Sequence, residues 1–222
     1  DLQFESTRPD GREIDHYDAR SVHCLLRTAT APFRPVGCTR VVLTDPRDPA
    51  APLPFEVSCA AALDRSIIDP ARLPRERIAE ISRLAVHRDY RRRRGEEHTP
   101  VHIDSSDFSD GDRPRFPFVP TSLLLGAVAL ADCSGIDTVF VLTEPRLAAH
   151  FTKLGVEVIQ IGQAIEHRGR RIPSVMHVDE IIRNMRPILH PLWQRVRAEI
   201  GRGFEEAGRG KGQQGLPTTH NG

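Results

Sequence analysis

The sequence predicts an α/β protein built on a mixed, twisted sheet, and three observations carry that reading. Apolar and β-branched runs of strand length recur along the 222 residues, at Ser21 to Arg27, Gly37 to Leu43, Glu80 to Val86, Thr138 to Leu142 and Val156 to Ile161. Helical patterns stand among these runs rather than before or after them. The first two strands are joined by a proline-containing loop (Pro32, Pro35) and read as a β-hairpin.

The elements follow in chain order. Phe4 to Asp18 is polar and turn-rich. Val41-Val42-Leu43 runs into the loop Thr44 to Pro49, followed by Leu53-Pro54-Phe55-Glu56. Ser58 to Leu63 is expected to form a short helix, because Ala60-Ala61-Ala62 has high helix propensity. Residues 91–120 hold many charges, prolines and small polar residues without periodicity, and read as a long flexible loop. Pro120-Thr121-Ser122 is an N-cap signal for a helix over Leu123 to Ala131, closed by Gly135. That helix is apolar nearly all round, so it belongs against a sheet. Glu144-Pro145 opens another, with Leu147, Phe151 and Leu154 at i, i+4, i+7 and Gly155 at its end. Ala164 to His167 and Ile172 to Val178 flank Arg168-Gly169-Arg170-Arg171 as a hairpin. Asp179 caps a final helical region interrupted by Pro187 and Pro191, whose second part sets Ile188, Leu192, Val196 and Ile200 on one face. Residues 1–200 are expected to form one domain, and 201–222, rich in Gly, Gln and charge, a disordered tail. There is no internal repeat.

Composition narrows the function. The net charge is +1, aromatics are 5%, and no basic helix emerges, which argues against a nucleic-acid partner. Lys153 and Lys211 are the only lysines, so the arginine run Arg91 to Arg94 reflects a chain-wide bias. No apolar stretch reaches the roughly 18 residues of a membrane span. No secretory signal is visible in a chain that opens at Asp1 without methionine, so an N-terminal piece is expected to be missing. Cys24, Cys38, Cys59 and Cys133 are scattered without a Cys-x-x-Cys pair, which favours reduced core thiols and a cytoplasmic location over staples or zinc. His98-x-x-x-His102 has ligand spacing only on a helix, and Pro100 argues against one, so no metal is expected.

The stretch Glu80-Ile81-Ser82-Arg83-Leu84-Ala85-Val86 organises the rest. Extended, it alternates Glu80, Ser82, Leu84 and Val86 with Ile81, Arg83 and Ala85. It is half core and half site, because a buried Glu80 or Arg83 needs a partner, water or ligand. It then runs through His87-Arg88-Asp89-Tyr90 into the arginine- and glycine-containing turn Arg91 to Gly95, which offers guanidinium forks and backbone N–H groups to an anion.

Leu84-Ala85-Val86-x-x-x-Tyr90-Arg91-x-x-x-x-Gly95 resembles the acyl-carrier segment of GNAT-type N-acyltransferases. Glu80-x-Ser82-Arg83 resembles the Glu-x-Ser-Arg element of their acyl-homoserine-lactone synthase branch, Asp15-x-x-Asp18 its aspartate pair and Arg40 its strand arginine. From about Glu13 to about Ile200 the chain resembles the PEP-CTERM/exosortase system-associated acyltransferases, bacterial relatives of those synthases and of N-acyl amino acid synthases. The resemblance implies a GNAT-like sheet with helices on both faces. The family's opening helix, with its Arg-Tyr-x-Val-Tyr-like run, is missing here. About 25 residues also separate the basic turn from the next helix, where the general pattern has none.

The implied chemistry is transfer of a fatty acyl group from acyl carrier protein or coenzyme A to a small amine, with no permanent cofactor. Glu80 would take the amine proton, directly or through water, and Arg40 or Arg83 would pair with an acceptor carboxylate. A backbone N–H near Leu84 or Ala85 would steady the oxyanion. Asp15, Asp18, Arg40 and Ser82 would shape the acceptor site. Leu84, Ala85, Val86, Arg91, Arg92 and Arg94 would hold the carrier. The competing reading of the three acids and two arginines is an ion-pair network fixing the N-terminal segment to the sheet, and of the arginine run a solvated face. A non-catalytic acyl-carrier or lipid-binding module on the same fold is the alternative function.

Overall fold

The computed structural model describes residues 14–90, 118–167 and 169–213. Strand β1 (Ser21–Arg27) and β2 (Pro35–Leu43) form the predicted antiparallel hairpin. Helix α1 (Pro54–Ser58) precedes β3 (Ile78–Val86); α2 (Phe118–Cys133) leads to β4 (Thr138–Thr143) and α3 (Pro145–Lys153). The short β5 (Ile159–Gln160) and β6 (Ile165–Glu166) come before β7 (Arg170–His177), α4 (Val178–Asn184) and α5 (His190–Gln213). The sheet runs β1-β2-β3-β4-β7-β5, with β6 added on β7. Among the described residues, only β3 and β4 pair in parallel.

Two apolar clusters cover the two faces. On one, α2 lies against β1, β2 and β3 with α5 over it, and Leu124, Leu125, Val128, Ile81, Val139 and Trp193 are all buried. On the other, Leu53 and Phe55 close over Val42, Ile78, Phe140 and Val175. Phe55 stacks on Phe140 with centroids 4.4 Å apart. Burying one such ring contributes about 1.5–3 kcal/mol.

Several expectations are corrected. The first helix is Pro54–Ser58, not Ser58 to Leu63: Pro54 starts it, the Glu56 carboxylate accepts the Leu53 N–H, and Cys59 ends it. α2 begins at Phe118, so it takes Phe118–Pro120 from the predicted loop; the rest of that loop, residues 91–117, lies outside the described residues. The strand expected over Val156 to Ile161 is only Ile159–Gln160, opposite Val175 and Ser174. Asp179 sits inside the first turn of α4, whose N-cap is His177. Pro191 lies in the first turn of α5 rather than interrupting it, and α5 continues past Gly201 to Gln213, where a disordered tail is predicted. Val196, Ile200 and Phe204 pack that helix against the α2 cluster and outweigh the glycine cost. Cys38 is exposed rather than a core thiol.

Gly37 lies opposite Val86 at the end of β3. A Cβ there would sit 2.6 Å from the Ala85 carbonyl oxygen and 2.8 Å from Leu123 Cδ1. Gly37→Ala therefore pushes β3 off its partner. We expect a loss of about 1–3 kcal/mol, read by chemical denaturation.

Candidate functional site

β3 and β4 pair from Ile78 opposite Thr138 to Ile81 opposite Val141, and there the ladder stops. β3 goes on for Ser82–Val86 with β2 alone, while Leu142 and Thr143 pair with β7 alone. The stop coincides with a bulge. Between Arg40 opposite Ser82 and Cys38 opposite Ala85, β2 takes two steps and β3 takes three. The extra residue is accommodated at Arg83, whose φ is +52°, a left-handed conformation that a non-glycine residue adopts at a cost of about 1–3 kcal/mol.

The bulge overturns the predicted alternation. Ser82 and Arg83 both reach the ion-pair cluster described next, and Leu84 packs into the α2 cluster with Ile81 instead of lying on the side of Glu80. An inserted residue exchanges the faces of everything beyond it.

The turn ahead of β1 brings Asp15 and Asp18 to these strands. Asp15 takes the backbone N–H of Tyr17 at 2.9 Å, and Asp18 that of Asp15 at 2.9 Å. Arg40 Nη1 donates to both Asp15 oxygens, at 2.8 and 2.9 Å, and to Asp18 Oδ1 at 2.8 Å. Arg40 Nε donates to Ser82 Oγ at 3.0 Å. Arg83 Nη2 reaches Asp15 Oδ2 at 2.8 Å, with Nη1 3.8 Å from Asp18 Oδ2. Two carboxylates thus balance two guanidinium groups. Arg40 is 4% exposed, while Arg83 keeps a side chain 25% exposed. Burial works to raise the Asp18 pKa, but the Asp15 N–H and the Arg40 guanidinium outweigh it and hold the carboxyl below its ordinary range. Burial likewise opposes the charge of Arg40, and the hydrogen bonds to Asp18 and Asp15 leave its pKa raised.

Glu80 stands apart from this set. It is 4% exposed, on the face closed by α1, and its Oε2 accepts the Phe55 N–H at 2.6 Å. Burial pushes its carboxyl up to about 8, against the Phe55 N–H and Arg40, which favour the charged form. Cys59 sits buried beside the same face, and its thiol is pushed to about 11, first by burial and then by Glu80. The sequence singles out Glu80 but not the Phe55 amide or Cys59. Pro54 at a helix start with Glu56 in its first turn was the signal for them.

The predicted set is therefore brought together in part. Asp15, Asp18, Arg40, Ser82 and Arg83 form one network, with Glu80 buried beside it under α1. Leu84, Ala85 and Val86 lie on the stretch of β3 that has no β4 residue opposite. Arg91, Arg92, Arg94, His98 and His102 lie outside the described residues. A cavity of about 310 Å³, lined by Ile136, Val178, Ile182 and the acids Asp132, Asp137 and Asp179, lies near the start of β4 and includes no predicted site residue. The apolar α2 segment lies in the core, as its all-round apolar pattern predicts. No helix among the described residues is long and apolar enough to cross a membrane.

The model of the acetyltransferase (GNAT) domain matches residues 1–100. Among curated proteins, none matches the chain. Solved structures share the fold at low identity. The CoA-dependent acyl-homoserine lactone synthase BjaI, with MTA, is 21% identical over 87% of this chain and 71% of its own, with a TM-score of 0.51. The CoA-dependent acyl-homoserine lactone synthase MesI is 22% identical over 89% of this chain and 78% of its own, at 0.51. TofI, in a ternary complex with an inhibitor and MTA, is 19% identical over 85% of this chain and 82% of its own, at 0.53. The fold is GNAT-like, a mixed and mostly antiparallel sheet covered on both faces.

Proposed function

We propose that this protein is an N-acyltransferase that moves a fatty acyl group from an acyl-carrier thioester to the amine of an amino acid or similar small acceptor. The observation that carries the reading is the place where β3 parts from β4. There the backbone of Leu84–Val86 lacks a β4 neighbour, Arg83 bulges out beside it, and a buried carboxyl of raised proton affinity lies a few residues upstream on the same strand. The GNAT-like fold, shared with the acyl-homoserine lactone synthases BjaI and MesI, supports the same reaction class.

Each residue then has a task. A backbone N–H near Leu84 or Ala85 donates to the thioester carbonyl oxygen and steadies the tetrahedral oxyanion. Glu80, with a pKa near that of an amine, accepts the ammonium proton through a bridging water, because its own carboxyl is nearly closed off. The amine nitrogen attacks the carbonyl carbon, the carbon–sulfur bond breaks, and the thiol leaves with a proton. Arg83, the less buried guanidinium, meets the acceptor's carboxylate. Asp15, Asp18, Arg40 and Ser82 satisfy one another, so their task is to build the wall that presents Arg83 rather than to touch the acceptor. The donor is acyl carrier protein or acyl-coenzyme A, with no resident cofactor, and the reaction belongs in the bacterial cytoplasm where such thioesters are made. Similarity to the PEP-CTERM/exosortase-associated group favours an acceptor other than the one that gives homoserine lactones.

Mass spectrometry of lipid extracts from cells expressing the full-length protein tests this. A new N-acyl species is expected with the native chain and not with Glu80→Gln. Extracts indistinguishable from those of control cells would refute the transferase. Carrier binding without any product would favour the non-catalytic module.

A further inference from the structure

Arg75, three residues before the start of β3 and five before Glu80, is unusually well occupied for a residue outside the proposed site. Its Nε donates to Pro49 O at 3.0 Å. Its Nη1 reaches Glu56 Oε1 at 3.1 Å and Pro70 O at 3.4 Å. Its Nη2 reaches Ala51 O at 2.9 Å and Glu56 Oε2 at 2.9 Å. All five N–H donors of one guanidinium are thereby used, and the pair is largely buried, with side chains 14% and 10% exposed. Glu56 Oε2 also accepts the Leu53 N–H at 2.8 Å, which closes the N-terminal turn of α1. The same turn presents Phe55, whose ring stacks on Phe140, the residue opposite Glu80 in β4, and whose N–H meets the Glu80 carboxyl. Position in the fold thus runs from Arg75 to Glu56, to the first turn of α1, to Glu80.

We propose that Glu56, clasped by Arg75, is a positioning residue that fixes α1 over Glu80 and sets the charge state in which Glu80 meets the acceptor amine. The proposal rests on the reading of Glu80 as the base, and it adds a control element outside the residues that would touch substrate. Two effects act on Glu80 through the clasp. The held α1 delivers the Phe55 N–H, which favours the carboxylate, and at the same time shuts out water, which disfavours it. The Glu56 charge adds repulsion. The other groups that face Glu80 are Arg40 on β2, Asp15 and Tyr17 in the turn ahead of β1, and Cys59 after α1. Only Arg40 among them favours the charged form.

Glu56→Gln removes the charge and keeps an oxygen for the Leu53 N–H and for Arg75. The acidic limb of the pH profile of kcat/KM is expected to move to lower pH by roughly half a unit or more, because Glu80 then ionises more readily. A carboxyl-carbon NMR titration of Glu80 in the same protein should move in the same direction without reference to turnover. A lower Tm with both titrations unmoved would show that the clasp only braces the fold, and would overturn the proposal. Arg75→Lys, which keeps the charge but loses the fork, is the second variant should Glu56→Gln fail to fold. Its Glu80 titration is expected to shift from the native position, and an unshifted one would also overturn the proposal. If Glu80→Gln retains native kcat/KM, it is the assignment of the base that fails, whatever Glu56 does.

Discussion

Replacing Arg40 by methionine is expected to cost about 3 kcal/mol of stability, the low end of what breaking a buried ion pair costs. The low end applies because Asp15 and Asp18 retain side chains 14% and 21% exposed, so water can partly replace the lost guanidinium. Methionine fills much of the volume but leaves the Ser82 hydroxyl without its Nε–H donor, and leaves Asp18 with the Asp15 N–H, His23 at 3.5 Å and Arg83 at 3.8 Å. For a chain of this length the loss corresponds to a fall in Tm of about 6–12 °C. The acid limb of stability should change as well. The Asp18 carboxyl titrates below its ordinary value of 3.8 in the folded protein, so its contribution is present above that value and lost as pH falls through the lower, folded one. In Arg40→Met that contribution shrinks, and the variant should lose less of its remaining stability between pH 5 and pH 2 than the native protein does. Thermal melts across that range read both effects. A variant that melts like the native protein would mean that the network is decorative.

The members of the network were legible before the fold through the resemblance to the acyl-homoserine-lactone synthase branch, which pointed to Asp15, Asp18, Arg40, Ser82 and Arg83. Asp15 and Asp18 are three residues apart in a turn, and Arg40 and Ser82 occupy facing positions of neighbouring strands. The hairpin of β1 and β2, the central strand and the apolar α2 were legible for local reasons. What escaped depends on the backbone or on distant neighbours. Nothing about arginine announces a left-handed residue, so the bulge at Arg83 and the exchange of faces at Leu84 could not be read. Ala60-Ala61-Ala62 drew the first helix to the wrong side of Ser58, because propensity was weighed above the Pro54 and Glu56 start signals. The glycines at 201 and 203 marked a helix end that packing against α2 overrules. The partner of Glu80 is a main-chain amide 25 residues away, a contact that only the folded chain creates.

Glu80→Gln is expected to remove activity while stabilising the protein at alkaline pH, two effects of opposite sign from one atom. Loss of a general base typically lowers kcat/KM by about 10²–10⁴. The amide keeps an oxygen to accept the Phe55 N–H, so α1 stays seated. The stability argument follows from the raised proton affinity. Folded Glu80 titrates at about 8 against an ordinary 4.5, so the folded state holds a proton that the unfolded chain has already released in between. Its contribution is complete below about 4.5 and is lost as pH rises to about 8, where the buried carboxyl must ionise. Glutamine carries no such penalty. The variant should therefore match the native protein near pH 5 and exceed it near pH 9. Native activity should follow the opposite course, rising about tenfold per pH unit below 8 and levelling above it, because only the carboxylate can take the proton. Melting curves at the two pH values and a kcat/KM profile measure the two halves separately. Equal melting at pH 9 would show that Glu80 is already ionised and solvated in the fold. Undiminished turnover would show that the proton goes elsewhere.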